Sequence, residues 1–225
     1  MGSLPICCQK GSSLGTAQQL KSDTFGTITR IDDRVIRDTR AARPWARWLA
    51  RYLMRRERIA LAHLAGTLEG VPRVLGADHA TLTRAWIDGT PMHLARPRNP
   101  GYFRAALRLL RRLHAAGVLH NDLAKETNWL VTPEGLPALV DFQLASVVER
   151  RGKLARSRGH DDLRHLLKHK RTYLPERLTA REKRVLARRS LVSRIWMATG
   201  KKVYLFITRK VFHWRDREGA GDRRF

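Results

Sequence analysis

Apolar and polar residues alternate in the first third of the chain in a way that predicts strands around one long helix. A turn at Asp32-Asp33 separates two short β-prone segments, which indicates two or three antiparallel strands between residues 19 and 39. Apolar residues then recur at helical spacing from 45 to 68. The apolar positions of this helix are Trp48, Leu49, Tyr52, Leu53, Ile59, Leu61 and Leu64. The predicted strands cover 25–29, 35–37, 71–75 and 80–87.

The middle of the chain predicts a second helix followed by a hairpin. Residues 101–116 have an amphipathic pattern, and Gly117 is the expected stop. The apolar face consists of Phe103, Leu107, Leu110 and Leu113. Residues 129–131 and 138–140 predict a small hairpin, and a further helix is expected to open at residue 159. Together these elements predict an α+β protein.

Composition adds a strong positive charge to this picture. Of the 225 residues, 43% are hydrophobic, which suits a folded chain with a real core, and the net charge is +25. From residue 149 onward, 24 Lys and Arg residues face 8 Asp and Glu residues. Such a field attracts polyanions, including nucleotides, nucleic acid and anionic lipids.

Cysteine content and hydropathy bear on localisation. The two cysteines are adjacent, Cys7 and Cys8, so no disulfide framework is expected and a reducing cytosol is the natural compartment. We expect no secretory signal, because no basic region followed by an apolar one opens the sequence. We also expect no transmembrane helix. The predicted location is therefore cytoplasmic, with a peripheral position on the inner face of the membrane as an option.

The strongest candidate chemistry lies in two motifs. His120-Asn121-Asp122 precedes Asn128, and Leu139-Val140-Asp141-Phe142 follows. Asp141 follows an apolar run, as a loop residue does after a buried strand. Phosphoryl transfer needs a group that positions the acceptor hydroxyl and oxygen ligands for Mg²⁺. Asp122 would face the hydroxyl, and Asn128 with Asp141 would bind the metal.

These motifs resemble H-x-D-x-x-x-x-N and D-F-G of the protein-kinase-like superfamily. Within this superfamily, the motifs look most like those of short bacterial kinases that resemble lipopolysaccharide kinases and RIO serine/threonine kinases. Asn128 lies six residues after Asp122 rather than five, and Gln143 replaces the motif glycine. The resemblance implies a compact bilobal fold, with a small antiparallel N-lobe sheet, one long helix and a mostly helical C-lobe. It also implies ATP and Mg²⁺ as cofactors.

The resemblance divides the chain and assigns further residues. The implied parts are a flexible tail (1–18), an N-lobe (19–87), a C-lobe (88–177) and a basic, aromatic-rich helical region (178–225). On this division, Gly26, Arg37 and Glu57 would contact or orient the nucleotide, and Lys125 would neutralise charge on the transferring phosphoryl group.

Each of these roles has a plainer alternative. Gly26 could simply serve a turn, Arg37 and Lys125 could be solvated cations, and Glu57 could pair on the helix surface. His120 is expected to anchor the loop by packing. Asp161 or Asp162 resembles the aspartate that braces the catalytic loop, although a helix N-cap role explains Asp161 equally well.

Three functions follow, in decreasing order of support. The first is a kinase that moves the γ-phosphoryl group of ATP to a protein Ser/Thr or to a lipopolysaccharide-type sugar. The second is a weak pseudokinase that acts as a scaffold for a membrane or partner. The third is a nucleic-acid binder, which the charge allows but no recognition motif supports. Basic residues around aromatics between 179 and 217 suit an anionic membrane surface or the completion of a core.

Overall fold

An antiparallel sheet of five strands occupies the first part of the computed structural model, which describes residues 17–149 and 152–187. The strand order is β1-β2-β3-β5-β4. The prediction of an α+β protein is confirmed, and residues 19–39 contribute three strands. Because β1 begins at residue 17, the last two residues of the predicted tail belong to the sheet. The strands are β1 (Ala17–Asp23), β2 (Gly26–Ile31), β3 (Arg34–Asp38), β4 (Val74–Ala77) and β5 (Thr81–Ala85).

The long predicted helix packs beside this sheet. A 3-10 turn, Pro44–Ala46, leads into α1 (Arg47–His63), which is shorter than the predicted 45–68. Its buried residues are Ala50, Met54, Glu57, Ala60 and Leu61. The apolar positions that predicted this helix are therefore only partly buried. Leu61 and Leu64 are buried, whereas Trp48, Tyr52 and Ile59 are exposed.

The remaining elements are mainly helical, with two small sheets. Strands β6 (Thr90–Pro91), β8 (Trp129–Val131) and β9 (Pro137–Leu139) form one sheet, and β7 (Val118–Leu119) pairs with β10 (Ser146–Val147). The predicted hairpin at 129–140 is thus confirmed. Short 3-10 turns cover Glu126–Asn128, Phe142–Leu144 and Pro175–Arg177. The helices are α2 (Met92–Ala95), α3 (Pro100–Ala115), α4 (Lys153–Tyr173) and α5 (Ala180–Ala187).

Helix α3 forms as its pattern predicts. Pro100 occupies the first turn, and the Asn99 side chain accepts a hydrogen bond from the Gly101 amide at 2.7 Å, which caps the helix. Gly117 ends it with a φ of +77°, and a Cβ there would lie 2.9 Å from the carbonyl oxygen of Val148. Only glycine satisfies both constraints. The buried apolar face of α3 forms the centre of the core together with Leu61, Trp129, Leu139, Phe142 and Leu166.

Helix α4 departs from the prediction at its start. It begins at Lys153 rather than near residue 159, so Asp161 and Asp162 lie inside the helix. The N-cap role considered for Asp161 is therefore wrong. Residues 1–16 of the predicted tail and 188–225 of the predicted C-terminal region lie outside the described residues. Among the residues that the structure describes, no helix combines the length and apolar character needed to cross a membrane.

Candidate functional site

The loop from 120 to 128 is anchored by a buried histidine. Nε2 of His120 donates to the carbonyl oxygen of Val140 at 3.0 Å, and its ring packs on Phe142 with centroids 4.6 Å apart. Burial lowers the pKa of His120, against the opposing effect of Asp162 and the hydrogen bond to Val140. A neutral imidazole that donates to a carbonyl orients the loop, which matches the anchoring role expected for His120.

Asp162 holds the start of the same loop from helix α4. Its carboxylate is buried and accepts the backbone amides of His120 and Asn121, each at 3.0 Å, and a hydrogen bond from Nε2 of His114 at 3.1 Å. Hydrogen bonds to a charged group are stronger than neutral ones. Of the two candidate bracing aspartates, the structure places Asp162 in this position.

Two further α4 residues, which the sequence reasoning missed, hold the middle of the loop. Nε2 of His169 donates to the carbonyl oxygen of Leu123 at 2.8 Å, and the Tyr173 hydroxyl forms a short hydrogen bond with the Glu126 carboxylate. Both lie on the Asp162 face of α4, seven and eleven residues further on, a spacing that keeps side chains on one helix face. The sequence signal for these contacts was the helical spacing of three polar residues, Asp162, His169 and Tyr173.

Asp122, Lys125 and Asn128 form one polar cluster. Nζ of Lys125 lies 3.0 Å from Oδ2 of Asp122, and the amide nitrogen of Asn128 donates to Oδ2 at 3.0 Å and to the Asp122 carbonyl at 2.9 Å. The Asn128 amide oxygen is therefore the atom left to bind a cation. The extra residue in the loop does not separate these groups.

Asp141 is tied to this cluster through the backbone. The amide of Val140 donates to the carbonyl oxygen of Asn128 at 3.1 Å, which places the residue before Asp141 against the loop. Asp141 itself adopts a left-handed conformation, with φ 64° and ψ 67°. Non-glycine residues rarely adopt it and it costs of the order of 1 kcal/mol or more. Strain of this kind is concentrated at functional positions.

Asp141 lies in an electropositive setting. Burial alone would raise its pKa, but Arg37, a hydrogen bond from Gln143 at 2.5 Å, Arg84 and Lys125 outweigh burial and lower the pKa. Asp141 therefore stays anionic at neutral pH. Gln143, which replaces the glycine of the kinase-like motif, has a structural role here because its side chain donates a hydrogen bond to one carboxylate oxygen of Asp141.

A cleft of about 190 Å³ collects most of the predicted site residues. The β1–β2 hairpin lies on one side, and the loops that carry Asp122 and Asp141 lie on the other. Five of the seven predicted site residues line it: Gly26, Arg37, Asp122, Lys125 and Asp141. The other two lie directly behind, since Asn128 contacts Asp122 and Glu57 contacts Arg37. A larger cavity of about 460 Å³, lined by His160, Arg181, Arg184 and Val185, includes none of them.

Glu57 is clamped between two arginines, one of which the sequence reasoning missed. Its carboxylate is fully buried, 3.4 Å from Nε of Arg37 and 3.4 Å from Nε of Arg84. Arg84 lies on the same inward face of β5 as the buried Leu82. The alternation of the strand places an arginine on this inward face, and that position was the sequence signal for a buried ion pair. The alternatives of a surface Glu57 and a solvated Arg37 are both wrong, because each side chain is buried.

The backbone at position 26 requires glycine for structural reasons. It is buried at the start of β2 with a φ of +115°, and a Cβ would lie 2.1 Å from the carbonyl oxygen of Asp38. The turn alternative thus accounts for this glycine, although Gly26 also lines the cleft.

Helix α1 is joined to the segment after Asp141. The Arg56 guanidinium donates to the carbonyl oxygens of Leu144 and Ala145, each at 2.9 Å. The Asn121 amide donates to the Leu144 carbonyl at 2.9 Å and to Oγ of Ser146 at 3.0 Å. The helix that carries Glu57, the loop that carries Asp122 and the segment after Asp141 therefore form one connected network.

This donor set limits the metals that could bind. The described residues contain no cluster of three His, Cys, Asp or Glu side chains arranged to hold an ion. The Asp141 carboxylate and the Asn128 amide oxygen instead fit a hard cation such as Mg²⁺, which keeps several waters and takes further ligands from phosphates. No protein-family model matches the chain, and no curated protein matches it in a sequence search.

Proposed function

We propose that the chain is an ATP- and Mg²⁺-dependent phosphotransferase of the protein-kinase-like type, with a hydroxyl of a protein Ser/Thr or of a lipopolysaccharide-type sugar as acceptor. The observation that carries the proposal is that Asp122, Lys125, Asp141 and Arg37 line one cleft, with Asn128 bonded to Asp122. In the proposed bilobal arrangement, the five-stranded sheet with α1 is the N-lobe, and residues from 88 onward form the C-lobe.

The residues on the acceptor side would act on the hydroxyl. Asp122 would orient it and take its proton as the oxygen attacks the γ-phosphorus, while the bond between that phosphorus and the ADP oxygen breaks. Lys125, 3.0 Å from Asp122, would stabilise negative charge on the transferring group.

The residues on the nucleotide side would bind the metal ion and the phosphate groups. Asn128 and Asp141 would bind Mg²⁺, which neutralises phosphate charge when bound. Arg37 would contact phosphate oxygens. Arg84 keeps Glu57 paired when the Arg37 guanidinium turns toward phosphate, because each arginine contacts a different oxygen of the carboxylate. Two arginines around one glutamate therefore offset the replacement of the motif lysine by Arg37.

A non-catalytic, pseudokinase-like scaffold is the second candidate. The observations that favour it are the engagement of Arg37 with Glu57 and the structural reason for Gly26, which together weaken the case for a dedicated phosphate-binding loop. Such a module would bind nucleotide without transferring phosphate.

The test is ATP turnover by the purified full chain with Mg²⁺, with and without lipopolysaccharide or a generic Ser/Thr protein acceptor. The variants are Asp122→Ala and Asp141→Asn, and the control is Asp33→Asn, an exposed aspartate in the β2–β3 turn. We expect the two site variants to lose at least about 100-fold in turnover, as removal of a general base or a metal ligand does, and the control to match the wild type. ATP binding without turnover in the wild type would favour the scaffold.

A further inference from the structure

The side of α1 that faces away from the core carries large apolar side chains. Trp48 is 70% exposed, Tyr52 52% and Ile59 44%, and Trp45 just before the helix is 53% exposed. Spacings of three, four and seven residues keep them on one helix face. We call these four residues the outer stripe. At 1.5 Å per residue, the stripe extends about 17 Å from Trp48 to Ile59.

The core does not require the outer stripe. Helix α1 packs on the rest of the molecule through its opposite face, which contains Ala50, Met54 and Leu61. Within the described part of the chain, no residue packs over the outer stripe closely enough to bury its side chains. Four large apolar side chains exposed along one face of a helix, two of them tryptophans, are a feature of interaction sites.

The charge around the stripe narrows the choice of partner. Arg51, Arg55 and Arg58 are exposed beside it, and the only acidic residue of α1, Glu57, is fully buried. A second copy of the chain, with its net charge of +25, lacks complementary charge. Residues 188–225, with eleven Lys and Arg against three Asp and Glu, lack it as well. The partner must offer negative charge next to an apolar layer.

We propose that the outer stripe of α1 binds the surface of an anionic lipid membrane. Trp and Tyr side chains partition to the boundary between headgroups and acyl chains, and arginines beside them bind anionic headgroups. A helix that presents this pattern along one straight, exposed face lies in the plane of the bilayer surface. The inference does not rest on the proposed phosphotransfer.

The first test is co-sedimentation of the full chain with vesicles of phosphatidylcholine, with or without 30 mol% phosphatidylglycerol. We expect binding to the anionic vesicles and weak binding to the neutral ones. Trp48→Ser with Tyr52→Ser should lower the partition coefficient at least about tenfold, because binding scales with buried apolar area. Arg51→Gln with Arg55→Gln should lower it about 30-fold, since each cation near an anionic surface contributes roughly a factor of five.

The matched control is Leu94→Ser with Leu136→Ser, which removes two apolar side chains that are equally exposed but lie outside α1. This control should bind vesicles as the wild type does. Equal losses in the control and the stripe variant, or no binding by the wild type, would overturn the proposal. Circular dichroism on each variant confirms that these surface substitutions leave the fold intact.

The second test locates the contact, because the basic residues after 187 could also attract vesicles. With Cys7 and Cys8 changed to Ser, Tyr52→Cys or Leu136→Cys gives one site for an environment-sensitive fluorophore. The label at position 52 should shift to the blue on anionic vesicles and be quenched by lipid-borne quenchers, and the label at position 136 should not. A label at 52 that stays aqueous on bound protein would refute the proposal. So would lipid-independent self-association that the stripe variant abolishes.

Discussion

The arginine clamp on Glu57 makes the sharpest prediction about stability. Glu57→Gln keeps the size of the side chain but leaves the buried guanidiniums of Arg37 and Arg84 facing a neutral amide. Removing one partner of a buried ion pair costs about 3 to 5 kcal/mol. We expect the lower end, about 3 kcal/mol, because the Asp141 carboxylate remains close enough to Arg37 for that arginine to lower its pKa.

Urea unfolding followed by circular dichroism measures this loss. With an m-value of about 2 to 3 kcal/mol/M for a chain of this size, the midpoint should fall by about 1 M while m stays unchanged. Glu69→Gln makes the same chemical change at an exposed position and should alter stability by no more than about 0.5 kcal/mol. An unchanged midpoint for Glu57→Gln would refute the clamp.

A compensating variant separates lost charge balance from lost packing. Arg37→Met, Glu57→Leu and Arg84→Met together remove all three charges and fill similar volume. Apolar replacement of a whole buried ionic cluster is often neutral or stabilising. The triple variant should therefore be more stable than Glu57→Gln alone. A triple variant that is less stable than the single one would show that the charges of the two arginines, which also support Asp141, outweigh apolar packing at this position.

Three further predictions concern other parts of the site and fold. Asp162→Asn should cost about 2 kcal/mol in unfolding experiments, because both backbone amides lose a charged acceptor and one of them faces an NH2 group instead, whereas Asp33→Asn at an exposed aspartate should cost little; equal effects would contradict the bracing role. Gly26→Ala should destabilise by more than about 2 kcal/mol, since a Cβ would collide with the Asp38 carbonyl, and Gly76→Ala, which meets no atom within 4 Å, is the control that must remain milder. Burial, followed by the neighbouring charge of Lys168, lowers the pKa of His165 to about 4, so the unfolded chain binds more protons and stability should fall as pH drops from about 6.5 toward 4. His165→Gln should reduce that fall by about 1 to 2 kcal/mol in thermal unfolding at pH 7 and 4.5, and an unchanged pH dependence would count against it.

Local patterns predicted the elements that depend on local chemistry. Helix α3 follows from its apolar period, its proline start and its glycine stop, and the 129–140 hairpin follows from two short apolar runs around a turn. Motif spacing likewise selected Asp122, Asn128 and Asp141 as site candidates, and the structure brings Asn128 into contact with Asp122. Contacts between residues distant in sequence were not predictable in this way. Arg84 pairs with Glu57 only because β5 lies beside β3, which no local pattern specifies.

Helix α1 shows why an apolar period does not by itself identify the buried face. Its pattern contains two apolar rows, and the one with larger side chains, Trp48, Tyr52 and Ile59, faces outward. The inner face instead relies on small residues such as Ala50 and Ala60, together with the charged Glu57. Small side chains let the helix approach closely, and the glutamate is buried because two arginines neutralise it. Hydrophobicity alone favours the wrong row.

The most direct test of the account is the effect of Mg²⁺ on ATP binding, measured by titration calorimetry on the wild type, Asp141→Asn and Asp122→Ala. We expect Mg²⁺ to tighten ATP binding to the wild type and to Asp122→Ala, because Asp122 is proposed to face the acceptor. We expect Asp141→Asn to lose most of that gain. A wild type that binds ATP no better with Mg²⁺, or an Asp141→Asn variant that keeps the full gain, would contradict the assignment of the cleft as a metal–nucleotide site.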